Sequence, residues 1–243
     1  MSQGHRRRIV ISGATSGIGR AAAARLAASD DVWVMGSKPA TSQQVADEVG
    51  AFGWSAADVS DRPSVDAALA AAGSAMGGID GVFVNAGMDG QGVSSTELSL
   101  DVFRRVLDVN VLGAFNVAQG ALSYLARPAT ILFNASVNAL RPEAHFLDYN
   151  ASKAAVVSMA QTMALELASD DVTVLALAPG YFPSRMTEPY LSDPGVAEEL
   201  LGLIPARRFG TLDEIAEVVD FLLGPSARFM QGAVVTLDGG RSV

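Results

Sequence analysis

Cysteine is absent from all 243 residues, and histidine occurs only as His5 and His145. The chain therefore lacks a disulfide framework, a thiolate-based zinc site and a cysteine nucleophile, and its chemistry falls to Ser, Tyr, Lys, Asn and carboxylates or to a cofactor. Cysteine-free usage fits a cytoplasmic setting. Long apolar runs are also missing. Stretches such as 174–179 fall far short of the ~18 residues of a membrane span, and Arg6-Arg7-Arg8 leads into only a short apolar segment. Neither a membrane partner nor a secretory signal is expected. Basic charge is scarce: 17 Lys and Arg face 26 Asp and Glu, for a formal net charge of −9. Without a basic stripe to follow phosphates, nucleic acid is not an expected partner. Linker-like Gly/Ser/Pro tracts and repeats are absent too, so residues 1–243 read as a single domain.

What is present is a 49% apolar chain in which short β-branched runs alternate with Ala-rich segments. That alternation predicts strand–helix–strand units wound into a parallel sheet. Strands are expected at 8–12, 32–36, 53–57, 81–84, 130–135, 173–178 and 233–237, and helices at 18–28, 42–49, 63–76, 100–125, 149–168 and 212–223. The expected fold class is α/β: a Rossmann-type doubly wound parallel sheet of about seven strands with helices on both faces. The helix over 149–168 is apolar most of the way round, which predicts cover from a second copy of the chain, in a dimer or tetramer.

Directly after the first expected strand come Ser12-Gly13-Ala14-Thr15-Ser16-Gly17-Ile18-Gly19 and then a helical pattern. Glycines between a strand and a helix bring bare N–H groups and the positive end of the helix dipole together, a pyrophosphate site. Gly13, Thr15, Ser16, Gly17, Ile18 and Gly19 are therefore candidate dinucleotide contacts. No Gly-Lys-Ser/Thr follows, so a triphosphate P-loop is excluded. At the end of the second strand, an NAD site commonly offers a carboxylate to the ribose hydroxyls. Here Ser37 is neutral, and Lys38, one of only two lysines, supplies a cation for a 2′-phosphate. NADP(H) is the expected cofactor, with NAD(H) the alternative.

The second lysine, Lys153, follows Tyr149 by four residues, one turn along a helix face. A nearby ammonium favours the phenolate and is expected to lower the tyrosine pKa, making Tyr149 a usable general acid/base.

These residues carry a resemblance that spans nearly the whole chain. The Ser12–Gly19 turn, Asp58-Val59 after the third strand, Asn85-Ala86-Gly87, Asn110, Ser136 thirteen residues before Tyr149, the Tyr149/Lys153 pair and Pro179-Gly180 stand in the order and spacing of the short-chain dehydrogenase/reductase family. Val84, Ser12 and Ser184 depart from its usual Asn, Thr and Thr. The resemblance implies a catalytic set of Ser136, Tyr149, Lys153 and Asn110. It further implies that Asp58 and Val59 meet the adenine, and that Asn85, Ala86, Gly87, Pro179, Gly180 and Ser184 line the remaining cofactor site. Tyr149 and Lys153 would also contact the cofactor; Ser136 would bind the carbonyl oxygen, and Asn110 would hold a water linking Lys153 to solvent. No metal is implied. The substrate would be a small carbonyl compound or its alcohol, bordered by the 138–148 loop and a lid over 185–209 with a short helix near 196–201. Phe146, Leu147, Met186, Tyr190, Leu201 and Leu203 would give that pocket apolar walls, whereas His145 reads as a surface residue. The segments 204–210 and 235–240 resemble 3-oxoacyl carrier protein reductases, making such a reductase the runner-up; a catalytically silent dinucleotide sensor is the alternative of another class.

Overall fold

The computed structural model describes residues 6–243, so His5 lies outside the described residues. In chain order the regular elements are β1 (Arg8–Ser12), α1 (Gly17–Ala27), β2 (Asp31–Gly36), α2 (Pro39–Val49), β3 (Gly53–Ala56), α3 (Arg62–Met76), β4 (Ile79–Val84), α4 (Leu100–Leu107), α5 (Gly113–Ala121), β5 (Leu125–Asn134), α6 (Leu147–Leu167), β6 (Val172–Pro179), α7 (Glu188–Leu191), α8 (Pro194–Gly202), α9 (Leu212–Leu223) and β7 (Val234–Leu237). The strands form one sheet in the order β3-β2-β1-β4-β5-β6-β7, and every pairing is parallel. The expected fold class holds.

Parallel strands joined by helices are covered on both faces, so their alternate residues must all be apolar. One side of the sheet packs Val10, Val82, Val84, Ile131, Phe133 and Val174 against residues of α3, α5 and α6. The other packs Ile9, Ile11, Val32, Phe83, Leu132 and Leu175 against α1 and α9. Removing each such side chain from water stabilises the fold by about 2 kcal/mol. The chain reverses winding direction between β1 and β4, and a crevice opens there at the carboxyl ends of the strands.

The sequence expects one helix over 100–125, and the structure corrects this. Between α4 and α5 lies a π-helical turn, Asp108–Leu112, and β5 already begins at Leu125. The wider turn has an identifiable cause. Asn110 is pulled inward, where its Oδ1 accepts from Met88 N (2.8 Å) and its Nδ2 donates to Met88 O (2.9 Å). A π-turn in an otherwise α-helical run often marks a functional position.

Helix α6 turns Val156, Ala160 and Ala164 to the sheet, and its outer face is open in the single chain, with Leu165 84% exposed. Leu112 and Phe115, at the start of α5, are exposed as well.

Candidate active site

The strand β1 ends in a turn where Gly13 has φ +65, a left-handed conformation that favours glycine. A Cβ there would lie 2.7 Å from the Ala86 Cα, so the turn rests directly on the end of β4. Asn85 holds it: its Nδ2 donates to Ser12 O and Gly13 O, both at 3.1 Å, while the N–H groups of Asn85 and Ala86 donate to Ser12 Oγ. Asn134 Nδ2 in turn donates to Asn85 Oδ1 (2.8 Å). A serine hydroxyl serves as the shared acceptor here.

A cavity of about 600 Å³ runs along this crevice. One end is walled by Met35, Gly36, Ser37, Asp58 and Val59, the middle by Gly13, Thr15, Ser16, Gly17, Ile18 and Asn85–Gly87, and the far end by Ser136, Tyr149, Lys153, Pro179, Gly180 and Ser184. The first turn of α1 carries no acidic residue to cancel its positive end. A dinucleotide fits this donor set, with backbone N–H groups at mid-cavity for the pyrophosphate and no carboxylate on Ser37. Of the expected contacts, Gly19 packs behind the turn, where a Cβ would meet Gly13 O, and does not line the cavity. Lys38 does not line it either: it is exposed and caps α2 ahead of Pro39, its carbonyl accepting from Ser42 Oγ. Arg105 and Arg185 are lining cations that the motif reading missed, because each lies far in sequence from the glycine turn. Arg105 sits 3.7 Å from Asp58 and donates to Ser60 Oγ. Asp58 is held low, chiefly by the Ser60 hydroxyl.

At the other end, Tyr149 and Lys153 lie on one face of α6, with Lys153 Nζ 5.7 Å from the phenol ring centroid. Lys153 Nζ donates to Asn134 O (2.8 Å), which ties the helix to β5. The pKa expectation is corrected. Burial pushes the Tyr149 phenol up to about 12, with Asp89 and Glu143 adding to the rise and a Ser136 hydrogen bond opposing it. Burial likewise drops Lys153 to about 8, so the pair is governed by desolvation and not by ammonium stabilising phenolate. Ser136 also caps the following 3₁₀ turn, accepting from Asn138 N. Asn110 stands behind the site, bonded to Met88 and to Ser152 Oγ (3.0 Å). Its side-chain amide is thus committed to the Met88 loop and Ser152.

A second cavity of about 520 Å³ shares Ser136, Tyr149, Asp89, Gly180, Met186 and Thr187 with the first. Phe146, Met186, Tyr190 and Leu203 line it as expected. Leu147 is exposed and Leu201 stands off, their places taken by Val196 and Leu200 of α8. His145 is exposed, at φ +69, and lines neither cavity. The lid holds an extra short helix, α7, fixed by Tyr190 donating to Asp89 Oδ2 (2.8 Å) and by an edge-on Phe146–Tyr190 contact. Buried Asp148 accepts from Tyr149 N and Gln91 N, pinning the loop that carries Asp89 to the first turn of α6. Glu143 and Glu199 fall in the loop and lid expected to border the substrate but, like Tyr181 and Arg241, were not singled out, since the four converge from separate segments.

A family model described as Enoyl-(Acyl carrier protein) reductase matches residues 13–242. The 3-oxoacyl-(acyl-carrier-protein) reductase MabA of Mycobacterium tuberculosis is 35% identical over 237 residues, covering 96% of this chain and 92% of that protein. A crystal structure of a 3-ketoacyl-(acyl-carrier-protein) reductase from Brucella melitensis, complexed with NADH, superposes with a TM-score of 0.91 at 30% identity, covering 100% of both chains. A short chain dehydrogenase from Burkholderia cenocepacia in complex with NADP superposes with a TM-score of 0.90 at 29% identity, covering 98% of both.

Proposed function

The chain belongs to the short-chain dehydrogenase/reductase family of NAD(P)-dependent oxidoreductases, and within it we propose an NADP(H)-dependent enzyme that interconverts a small ketone and its secondary alcohol. One observation carries this reading: Ser136 and Tyr149 stand on the wall common to both cavities, one that runs past the glycine turn and one largely apolar. A carbonyl in the second cavity would meet the serine and tyrosine hydroxyls while facing the first.

The bound nicotinamide supplies or accepts the hydride. Ser136 donates a hydrogen bond to the carbonyl oxygen, and Tyr149 gives its proton to the same oxygen as negative charge develops there. A phenol pushed up to about 12 is protonated at neutral pH, the state that donation requires. Lys153 would hold the nicotinamide ribose and bring positive charge toward the site; Asn110 fixes the Met88 loop beside it. Gly13, Thr15, Ser16, Gly17 and Ile18 hold the pyrophosphate, and Gly19 lets the turn close. Asp58, Val59 and Ser37 border the adenosine. Asn85, Ala86, Gly87, Pro179, Gly180 and Ser184 complete the nicotinamide end.

The neutral Ser37 supports NADP(H) over NAD(H), and the candidate cations for a 2′-phosphate are Arg105, which lines the cavity, and the exposed Lys38 next to Ser37 just outside it. The likeness to MabA favours a second reading, a 3-oxoacyl carrier protein reductase. An acidic carrier calls for a basic rim, whereas three carboxylates, Asp89, Glu143 and Glu199, line this substrate cavity. A free small-molecule ketone is therefore preferred. The exposed Leu165, Leu112 and Phe115 support self-association into a dimer or tetramer. No helix among the described residues is long and apolar enough to cross a membrane, and a cytoplasmic enzyme that neither binds nucleic acid nor inserts in membranes is the reading we adopt.

The test is a titration with NADPH and then NADH at one salt concentration, followed by nicotinamide fluorescence and then by ketone turnover. Tighter NADPH binding with turnover is expected. Binding of neither nucleotide overturns the oxidoreductase reading, and binding without turnover of any ketone makes the chain a silent sensor.

A further inference from the structure

Arg241 is buried, 6% exposed, yet it lines the second cavity. A guanidinium is always charged and carries five N–H donors. Among the described residues its one side-chain partner is Glu143 Oε1, 3.5 Å from Nη2, and its buried Nε has none. Buried donors normally have acceptors, so a charged group this poorly served calls for one.

Glu143 is in the opposite condition. Its carboxylate accepts from Tyr181 OH, from Asn138 Nδ2 (3.2 Å) and from Arg241 Nη2. The cavity wall thus has donors to spare on Arg241 and few free lone pairs on its counter-ion. The position is built with care. Asp238 accepts from Gly240 N (3.0 Å) and Ser242 N (2.8 Å), while Arg141 donates to the carbonyls of Arg241 and Val243. Gly239 and Gly240, both at positive φ, press against Ile204 and Pro205 at the end of the lid. That hook fixes the Arg241 backbone beside the cavity.

We propose that Arg241 is a specificity-determining residue that donates hydrogen bonds to a second oxygen of the substrate, and that the preferred substrates are neutral ketones bearing such an acceptor, as in a keto ester or a dicarbonyl compound. The charge balance selects neutral over anionic acceptors. Glu143 offsets the charge of Arg241, and Asp89 and Glu199 leave the cavity walls net negative, which repels a carboxylate. The apolar walls Val196, Leu200 and Leu203 suit the carbon skeleton between the two oxygens. This inference rests on the ketone-reductase reading, and its test separates the two.

With NADPH or NADH, kcat/KM is measured for ethyl acetoacetate, for its chain isostere 2-heptanone, which lacks the ester oxygens, and for the anion acetoacetate. In Arg241→Met the value for ethyl acetoacetate should fall about 10-fold or more, the size of one lost charge-assisted hydrogen bond, while 2-heptanone changes less than about threefold. The fall should lie mainly in KM, and Arg241→Lys should recover part of it. Glu143→Gln, which strips Arg241 of its counter-charge, should raise acetoacetate use about 10-fold relative to 2-heptanone and serves if Arg241→Met does not fold. An equal fall for both neutral ketones makes Arg241 a structural residue and overturns the proposal, as does an unchanged ester preference in the Met variant or no gain for acetoacetate in Glu143→Gln. A wild-type enzyme that binds dinucleotide but reduces other ketones and none of these overturns the substrate class alone. Failure to bind dinucleotide overturns the parent reading as well.

Discussion

Replacing Lys153 by Met should stabilise the protein at neutral pH, by an amount that shrinks as pH rises. Lys153 is buried, and desolvation lowers its pKa from 10.5 to about 8. The unfolded ammonium keeps its proton up to its ordinary value while the folded one releases it earlier. Between those pH values the unfolded chain binds more protons, so wild-type stability rises with pH through that window. At pH 7 the shift of about 2.5 units corresponds to about 3 kcal/mol of destabilisation in the wild type, at about 1.4 kcal/mol per unit. By about pH 9.5 all but ~1 kcal/mol of that cost is gone, because most folded molecules then carry the neutral amine. Met removes this dependence. It also strands Asn134 O, the acceptor of the lysine hydrogen bond, at a cost of about 1 kcal/mol that does not vary with pH. The stability difference between variant and wild type should therefore narrow by about 2 kcal/mol between about pH 7 and pH 9.5. Urea unfolding of both proteins at the two pH values, at one protein concentration, measures it. A difference that stays flat or widens refutes the claim that burial of the charged amine dominates at this position. The same variant should lose turnover, which would place Lys153 among residues kept for function at the expense of stability.

Tyr149→Phe should lower turnover by about 10²- to 10⁴-fold, the usual worth of a positioned proton donor, while the Kd for dinucleotide stays within about threefold; near-normal turnover would sink the assignment. Gly13→Val, at φ +65 and with its Cβ forced within 2.7 Å of Ala86 Cα, should abolish dinucleotide binding, and a soluble variant with wild-type affinity would contradict the turn's role. Lys38→Ala should weaken NADPH about 10-fold while leaving NADH nearly unchanged, the loss of one phosphate-directed cation. Equal loss for both would remove the case for a 2′-phosphate contact at Lys38. Arg7→Met leaves the buried Asp30 carboxylate, now 2.5 Å from the Arg7 guanidinium, without its main partner. Differential scanning calorimetry should show a drop in Tm of several degrees for a loss of about 3 kcal/mol, and an unchanged Tm would show the pair to be energetically neutral.

How far the sequence reveals such a molecule depends on how local each cause is. The strands at 8–12 and 173–178 are legible because a two-sided parallel strand needs an unbroken apolar run, and a run is a local pattern. The glycine turn is legible because its positive φ values and its contact closer than any Cβ permits can be met only by glycine. The π-turn at Asp108–Leu112 has no such signature. It exists because Asn110 reaches the backbone of Met88, a contact across 22 residues that no helical periodicity records. The same holds for Tyr149. Its neighbour four residues on suggests a lowered pKa, yet burial raises it, with Asp89 from a loop 60 residues away and Glu143 from the loop just before the helix adding to the rise. A motif identifies which groups meet; the burial that sets their protonation is a property of the whole fold. The substrate cavity is the extreme case, since Glu143, Tyr181, Glu199 and Arg241 come from four segments that share no spacing rule. Shared motifs can therefore fix a reaction class across chains whose substrate-lining residues differ, and selectivity is written in positions, such as Arg241, that only the folded chain brings to the site.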